Sequence, residues 1–192
     1  MARPLNPAIR AALLDQAVDY VIAHGVGDLT LRPLAKALKT NARMLVYHFG
    51  SREELLRQIL AALRGREDRR IQQWFQTGKK PRTLSGFLRW YWKRLSAPQA
   101  RPATRLIFEL YARALRNPQE FPGVLEDPLA YWRRLTEKAG IPTKVNVVEA
   151  TLLLSATRGL LLDLCATEDR ARVGRALEAL AQFVEWRAKA PR

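Results

Sequence analysis

Apolar positions recur at steps of three and four along almost the whole chain, the period of a helix with one buried face, and they never alternate as a half-buried strand would. After Pro7, which suits a first helical turn, Ile9, Leu13, Ala17, Tyr20, Val21 and His24 keep this rhythm until Gly25 and Gly27 stop it. Thr30 stands where an N-cap belongs, and Leu31, Leu34, Ala35 and Leu38 predict a helix of about two turns. Lys39 and Thr40 interrupt it. Asn41 can cap a third short helix, on which Met44, Leu45 and His48 share a face. Ser51 caps a fourth with Glu54 at capping-box spacing, and Leu55, Ile59, Leu60 and Leu63 carry it to a basic run from Arg64 to Arg70. Segments 83–96, 102–116, 126–139, 143–166 and 169–189, separated by proline or glycine, each read as a helix. The fold class expected is therefore all-α, with nine helices. We expect residues 1–50 to form one small domain, 51–64 to start a connecting helix, and 65–192 to form a second helical domain.

Composition adds a partner to this outline. Of 192 residues, 48% are hydrophobic, ample for a core, but 33 Lys and Arg stand against 18 Asp and Glu, a net charge of +15. Such an excess concentrates polyanions, DNA first among them. The excess is uneven: residues 1–64 carry 9 basic and 5 acidic side chains, 65–144 carry 17 and 7, and 145–192 carry 7 and 6. The lone Cys165 excludes a disulfide framework and fits a reducing cytoplasm. No apolar stretch reaches the roughly 20 residues of a membrane span, so a soluble protein is expected. Paired carboxylates, a nucleophile beside a base, and clustered metal ligands are all lacking, so neither an enzyme nor a cofactor is expected.

Two short helices joined by a tight turn, braced by longer helices before and after, make a helix-turn-helix. Its second helix enters the major groove with N-terminal residues at base edges, here Asn41, Ala42, Arg43 and Met44. Arginine can fork to guanine, asparagine can pair with adenine, and alanine or methionine can meet a thymine methyl. Thr30, Arg32, Lys39, Tyr47 and Arg52 are then phosphate contacts, which set register rather than sequence preference.

The stretch HGVGDLTLRPLAKALKTNARMLVYHFGSREELL, residues 24–56, resembles the DNA-binding domain of the tetracycline-repressor (TetR-type) family of bacterial transcription regulators. The resemblance rests on Gly25, Thr30, Leu34, Ala35, Tyr47, His48, Phe49, Ser51, Arg52, Glu53 and Leu55. It places His48 in the DNA-binding set, packed beneath the recognition helix as a hydrogen-bonded strut. Three positions depart from the family pattern: Lys39 replaces a turn glycine, Arg43 a small residue, and Val46 a phosphate-gripping tyrosine. Lys39 must then take a left-handed conformation or reshape the turn, at about 1 kcal/mol. Two added cations beside a lost tyrosine predict retained affinity with altered base preference.

The resemblance also implies a small-molecule pocket among the central helices, with Phe87, Trp90, Tyr91, Phe108 and Tyr131 as walls and Arg105, Glu109, Tyr111, Arg158 and Asp163 as polar groups. The basic excess of that region favours an anionic effector, such as an acyl-thioester or an aromatic acid. At the end of the chain, Leu152, Ser155, Ala156, Gly159 and Leu160 share a face of one helix, and Val173, Leu177, Leu180 and Val184 a stripe of the next, widened by Ala176, Phe183 and Trp186. That apolar surface exceeds what one core needs, and the last two helices are the family's usual dimer interface. Two helices from each of two subunits would make a four-helix contact. The expected molecule is a homodimeric, effector-responsive regulator, a repressor, on a palindromic operator in double-stranded DNA. A sequence-tolerant architectural DNA-binding protein is the alternative.

Overall fold

The computed structural model describes residues 6–27, 29–76, 80–121, 128–141 and 146–189, with backbone alone at Pro128 and Tyr131. Among these residues there are nine α-helices and two short 3-10 turns, and no strand: α1 (Pro7–His24), α2 (Leu31–Ala37), α3 (Ala42–Phe49), α4 (Arg52–Gln76), α5 (Leu84–Leu95), α6 (Arg101–Arg116), α7 (Pro128–Lys138), α8 (Val147–Thr167) and α9 (Arg170–Lys189). No described helix is long and apolar enough to cross a membrane. The starts expected at 126 and 143 lie outside the described residues.

Side-chain caps explain most of the starts. Asn6 accepts from the Ala8 amide at 3.0 Å, Ser51 Oγ from Glu54 at 3.1 Å, Thr83 Oγ1 from Gly86 at 3.1 Å, and Asn146 from Glu149 at 2.9 Å. Helix α1 ends at Gly25, whose φ of 79° suits a residue without Cβ. Helix α4 does not stop at the basic run; it continues to Gln76. Arg66 binds Asp15 and Asp19 of α1, Arg70 pairs with Glu67, and Ile71 and Phe75 continue the buried row. Paired arginines with an apolar stripe beneath them sustain a helix rather than end it.

The chain divides into two compact units. One comprises Met1–Gln73 and Leu106–Leu125, the other Trp74–Arg105 and Glu126–Arg192. The N-terminal unit is thus larger than the 50 residues the sequence suggested, because α6 returns to it. Leu106, Leu110, Ala114 and Phe121 join one core with Leu13, Val18 and Val21 of α1, Leu34 of α2, Leu45 and Phe49 of α3, and Leu55 and Ile59 of α4. Each fully buried leucine, valine, isoleucine or phenylalanine of this core stabilises by roughly 1.5–3 kcal/mol. In the second unit α5 packs along α9, and α8 against both α7 and α9.

Candidate nucleic-acid interface

The turn between α2 and α3 is set by backbone hydrogen bonds. Leu38 N–H returns to Leu34 O, Lys39 N–H to Lys36 O at 3.2 Å, and Thr40 N–H to Ala35 O at 2.9 Å, the paired bonds of a Schellman ending. That ending needs a left-handed residue before Thr40. Lys39 supplies it, with φ of 53°. Asn41 then opens α3, its side-chain oxygen accepting from Met44 N–H at 2.9 Å. Leu45, His48 and Phe49 turn inward, while Arg43, Met44, Val46 and Tyr47 face outward. Thr30 precedes α2 with no side-chain cap bond.

Four cations surround this surface. Arg32, Lys36, Lys39 and Arg43 are exposed, and no ion-pair partner for any of them occurs among the described residues. Arg52 differs. Its Nε donates to Leu29 O at 2.8 Å, and its Nη1 lies 3.6 Å from Glu53 and 3.9 Å from Glu120. Its Nε thus braces the loop before α2. His48 is 6% exposed, its Nδ1 has no hydrogen-bond partner, and its ring meets Tyr47 edge-on at 5.1 Å. It therefore lies on the inner face of α3, away from the outer row, and the strut expected to be hydrogen-bonded has no such bond at Nδ1.

Two braces were not anticipated. Arg10 of α1 donates through Nε to His48 O at 3.1 Å and through Nη2 to Gln58 at 2.5 Å, with its guanidinium 5.4 Å from the Phe49 ring centre. The Arg-to-aromatic spacing across 39 residues carries no local signal. Glu109 of α6 was expected in an effector pocket; instead both carboxylate oxygens accept from Val26 N–H at 3.1 Å, and Arg113 lies beside it at 3.3 Å. A Cβ at Gly25 would collide with that carboxylate. Glu109 occupies the space that a side chain at Gly25 would need.

The other expected pocket residues scatter. Phe108 and Tyr111 are half-buried on the stretch of α6 that belongs to the N-terminal unit. Arg105 is exposed and bonds Glu168, and Asp163 is held by Arg172 at 2.7 Å, which keeps its carboxyl below the usual range. Arg158 is half-buried on α8, and the Tyr131 side chain lies outside the described residues. Phe87, Trp90 and Tyr91 do come together, joined by Trp132, Phe75, Trp74 and Arg94. The signal for Arg94 was its position four residues after Trp90. Of the expected interface residues, Val173 and Leu177 are closed within their own unit, at 0% and 3% exposure. Leu152, Ser155 and Gly159 are exposed, and Ala156, Leu160, Leu180 and Val184 are partly so.

Residues 13–59 match the family model described as bacterial regulatory proteins, tetR family. No curated protein matches the chain. Among solved structures, the chain is similar to the multidrug binding protein EbrR in complex with imidazole, at 22% identity, TM-score 0.67, covering 93% of this chain and 91% of that one. It is also similar to Salmonella enterica GusR, at 22% identity and TM-score 0.60, over 94% of this chain and 97% of that one. The fatty acid degradation regulator FadR from Bacillus halodurans follows at 17% identity and TM-score 0.59, covering 95% and 96%.

Proposed function

On the premise that the chain belongs, through residues 13–59, to the tetR family of bacterial regulatory proteins and is a DNA-binding transcriptional regulator, we propose that it is a repressor, binding a palindromic operator as a homodimer and released by a small molecule. The outward row of α3 carries this reading: Arg43, Met44, Val46 and Tyr47 stand exposed just after a capped N-terminus, with unpaired cations on the flanks. Arg43, Met44 and the free amide edge of Asn41 read bases. Ala42 meets a thymine methyl. Thr30, Arg32, Lys36, Lys39 and Tyr47 hold phosphates and fix the register. His48 acts from beneath, as packing for the row above it.

Exposed apolar side chains support the dimer. Val148, Leu152 and Leu162 on α8, with Phe183 and Trp186 on α9, are 46% to 77% exposed in the single chain, and Ser155 and Gly159 between them are small enough for close helix approach. A two-fold pair of heads then meets half-sites roughly 34–36 Å apart or a multiple of it. Effector binding in the second unit shifts the equilibrium between head arrangements by its differential affinity for them. The protein acts in the cytoplasm, where the operator is.

Selection of the purified protein against randomised duplex DNA at moderate salt tests this. An enriched two-fold palindrome is the expected result. Retained binding with a flat sequence profile would instead hand the lead to the architectural reading.

A further inference from the structure

The second unit holds a run of aromatic contacts with an unmet hydrogen-bond donor at each end. At one end the Arg94 guanidinium lies 3.8 Å over the Trp90 ring and 5.4 Å from the Trp74 ring. One of its five donors is used, by Trp90 O at 3.1 Å, and no carboxylate partner occurs among the described residues. Burial without such a partner pushes its pKa down. At the other end Trp132 is fully buried and its indole N–H has no acceptor. Between them Trp90 stacks on Phe87 at 5.9 Å, and Phe87 meets Trp132 edge-on at 5.3 Å.

A cation drawn partly out of water needs an anion, and a buried indole N–H needs an acceptor. In the same unit the half-buried Arg89 and the exposed Arg172 each have a carboxylate partner. Arg94 has none among the described residues. The side chains packed between the two donors, the buried Phe87 among them, are aromatic rings, whose faces and edges favour a flat apolar body. Arg94, Trp90 and Trp74 are only partly buried, so this end is the open one, while Trp132 is closed.

We propose that this cluster is the effector site and that the effector is an aromatic carboxylate, its carboxyl on Arg94 and its ring among Trp90 and Phe87, with a second acceptor reaching Trp132 Nε1. The site rests on the regulator reading above and names the ligand class that reading leaves open. It also replaces the scattered set of polar residues expected from sequence with one cation and one indole. Entry from the Arg94 end requires the Trp90 and Phe87 rings to part, which gives binding a structural consequence within this unit.

Titration calorimetry of the full chain with 2-naphthoate, 2-naphthamide and 2-naphthylmethylammonium tests it. Naphthoate should bind at least about 10-fold tighter than the amide, the share expected of a charge-assisted hydrogen bond. Arg94→Gln should erase that preference without changing the melting temperature by more than a few degrees, and Trp132→Phe should weaken carboxylates bearing a second acceptor, such as 6-hydroxy-2-naphthoate. Should Arg94→Gln fail to fold, Arg94→Lys takes its place, and the preference for naphthoate over the amide should survive because the charge does. Equal affinity for all three probes, preference for the ammonium, no heat from any probe, or an unchanged Arg94→Gln would each overturn the proposal. Its failure is separable from that of the regulator reading: an enriched operator without naphthoate binding removes this site alone, whereas naphthoate binding without sequence-selective DNA binding removes the regulator and leaves the site.

Discussion

Lys39 shows how one residue sets a compromise between folding and binding. Its left-handed φ satisfies the turn, but its Cβ makes that conformation costly, by roughly 1 kcal/mol relative to glycine. Lys39→Gly should raise unfolding free energy by about 0.5–1 kcal/mol in urea titrations, part of the gain being offset by the more flexible unfolded chain. The same change should flatten the salt dependence of DNA binding by about one unit of slope, because a phosphate contact is lost. Arg52→Ala should behave oppositely, lowering stability while leaving that slope nearly intact, because its Nε is bonded to Leu29 O and its Nη1 lies near Glu53 and Glu120. Arg43→Ala should lower affinity chiefly for the selected operator; an equal loss on every sequence would assign Arg43 to phosphate. At Glu109, alanine would strand the Val26 amide, at about 1–2 kcal/mol. Faster hydrogen exchange at that amide is the expected readout.

At the scale of elements, α5 and α9 are held by one arginine. Arg89 bonds Glu178 at 2.6 Å and Glu185 at 2.6 Å, and these bonds hold both carboxyls below the usual glutamate value of 4.5. Because the folded-state values are depressed, their stabilising effect is complete above the unfolded value and fades as pH falls through the folded one. Melting temperature should therefore drop more steeply below pH 4.5 in the native protein than in Arg89→Met; parallel curves would show the pairing to be without energetic weight. The outer faces of α8 and α9 make a separate case. Trp186→Asp and Leu152→Asp alter side chains that are 66% and 55% exposed, so helix content should stay while sedimentation shifts from dimer to monomer.

Across the whole molecule, two helices belong to both compact units, since the divisions fall after Gln73 within α4 and after Arg105 within α6. A change at Trp74 or Phe75 thus lies on the same helix, α4, that supplies Leu55 and Ile59 to the core beneath α3. The same α6 that starts in the second unit carries Glu109 into the turn after α1. The proposed effector response then needs only a ligand that prefers one arrangement of these shared helices over the other. If naphthoate binds but leaves operator affinity unchanged, the shared helices do not couple the two events.

The sequence by itself determined the helical class, the two short helices with the Asn41 cap of the second, and the choice at Lys39 between a left-handed residue and a reshaped turn. These follow from period, capping chemistry and backbone sterics, all of which act within a few residues. The structure leaves Thr30 without a side-chain cap bond and turns Met44 outward, away from Leu45 and His48. The sequence also marked Asn41 and Ser51 as positions where orphan amides find an acceptor, whereas the Thr83 and Asn146 caps became visible only in the structure. What only the tertiary structure decided was which charges are spent and which stripe is inside. Arg52 and Glu109 look like interface and pocket residues until Leu29 O and the Val26 amide, 23 and 83 positions away, come within hydrogen-bond reach. Val173 and Leu177 read as part of a dimer stripe because a helix wheel shows an apolar face without saying what covers it; packing within their own unit covers them. Contacts that close long loops leave no periodic trace in the chain, and that is why Arg10, Arg94 and the return of α6 to the first unit became visible only in three dimensions.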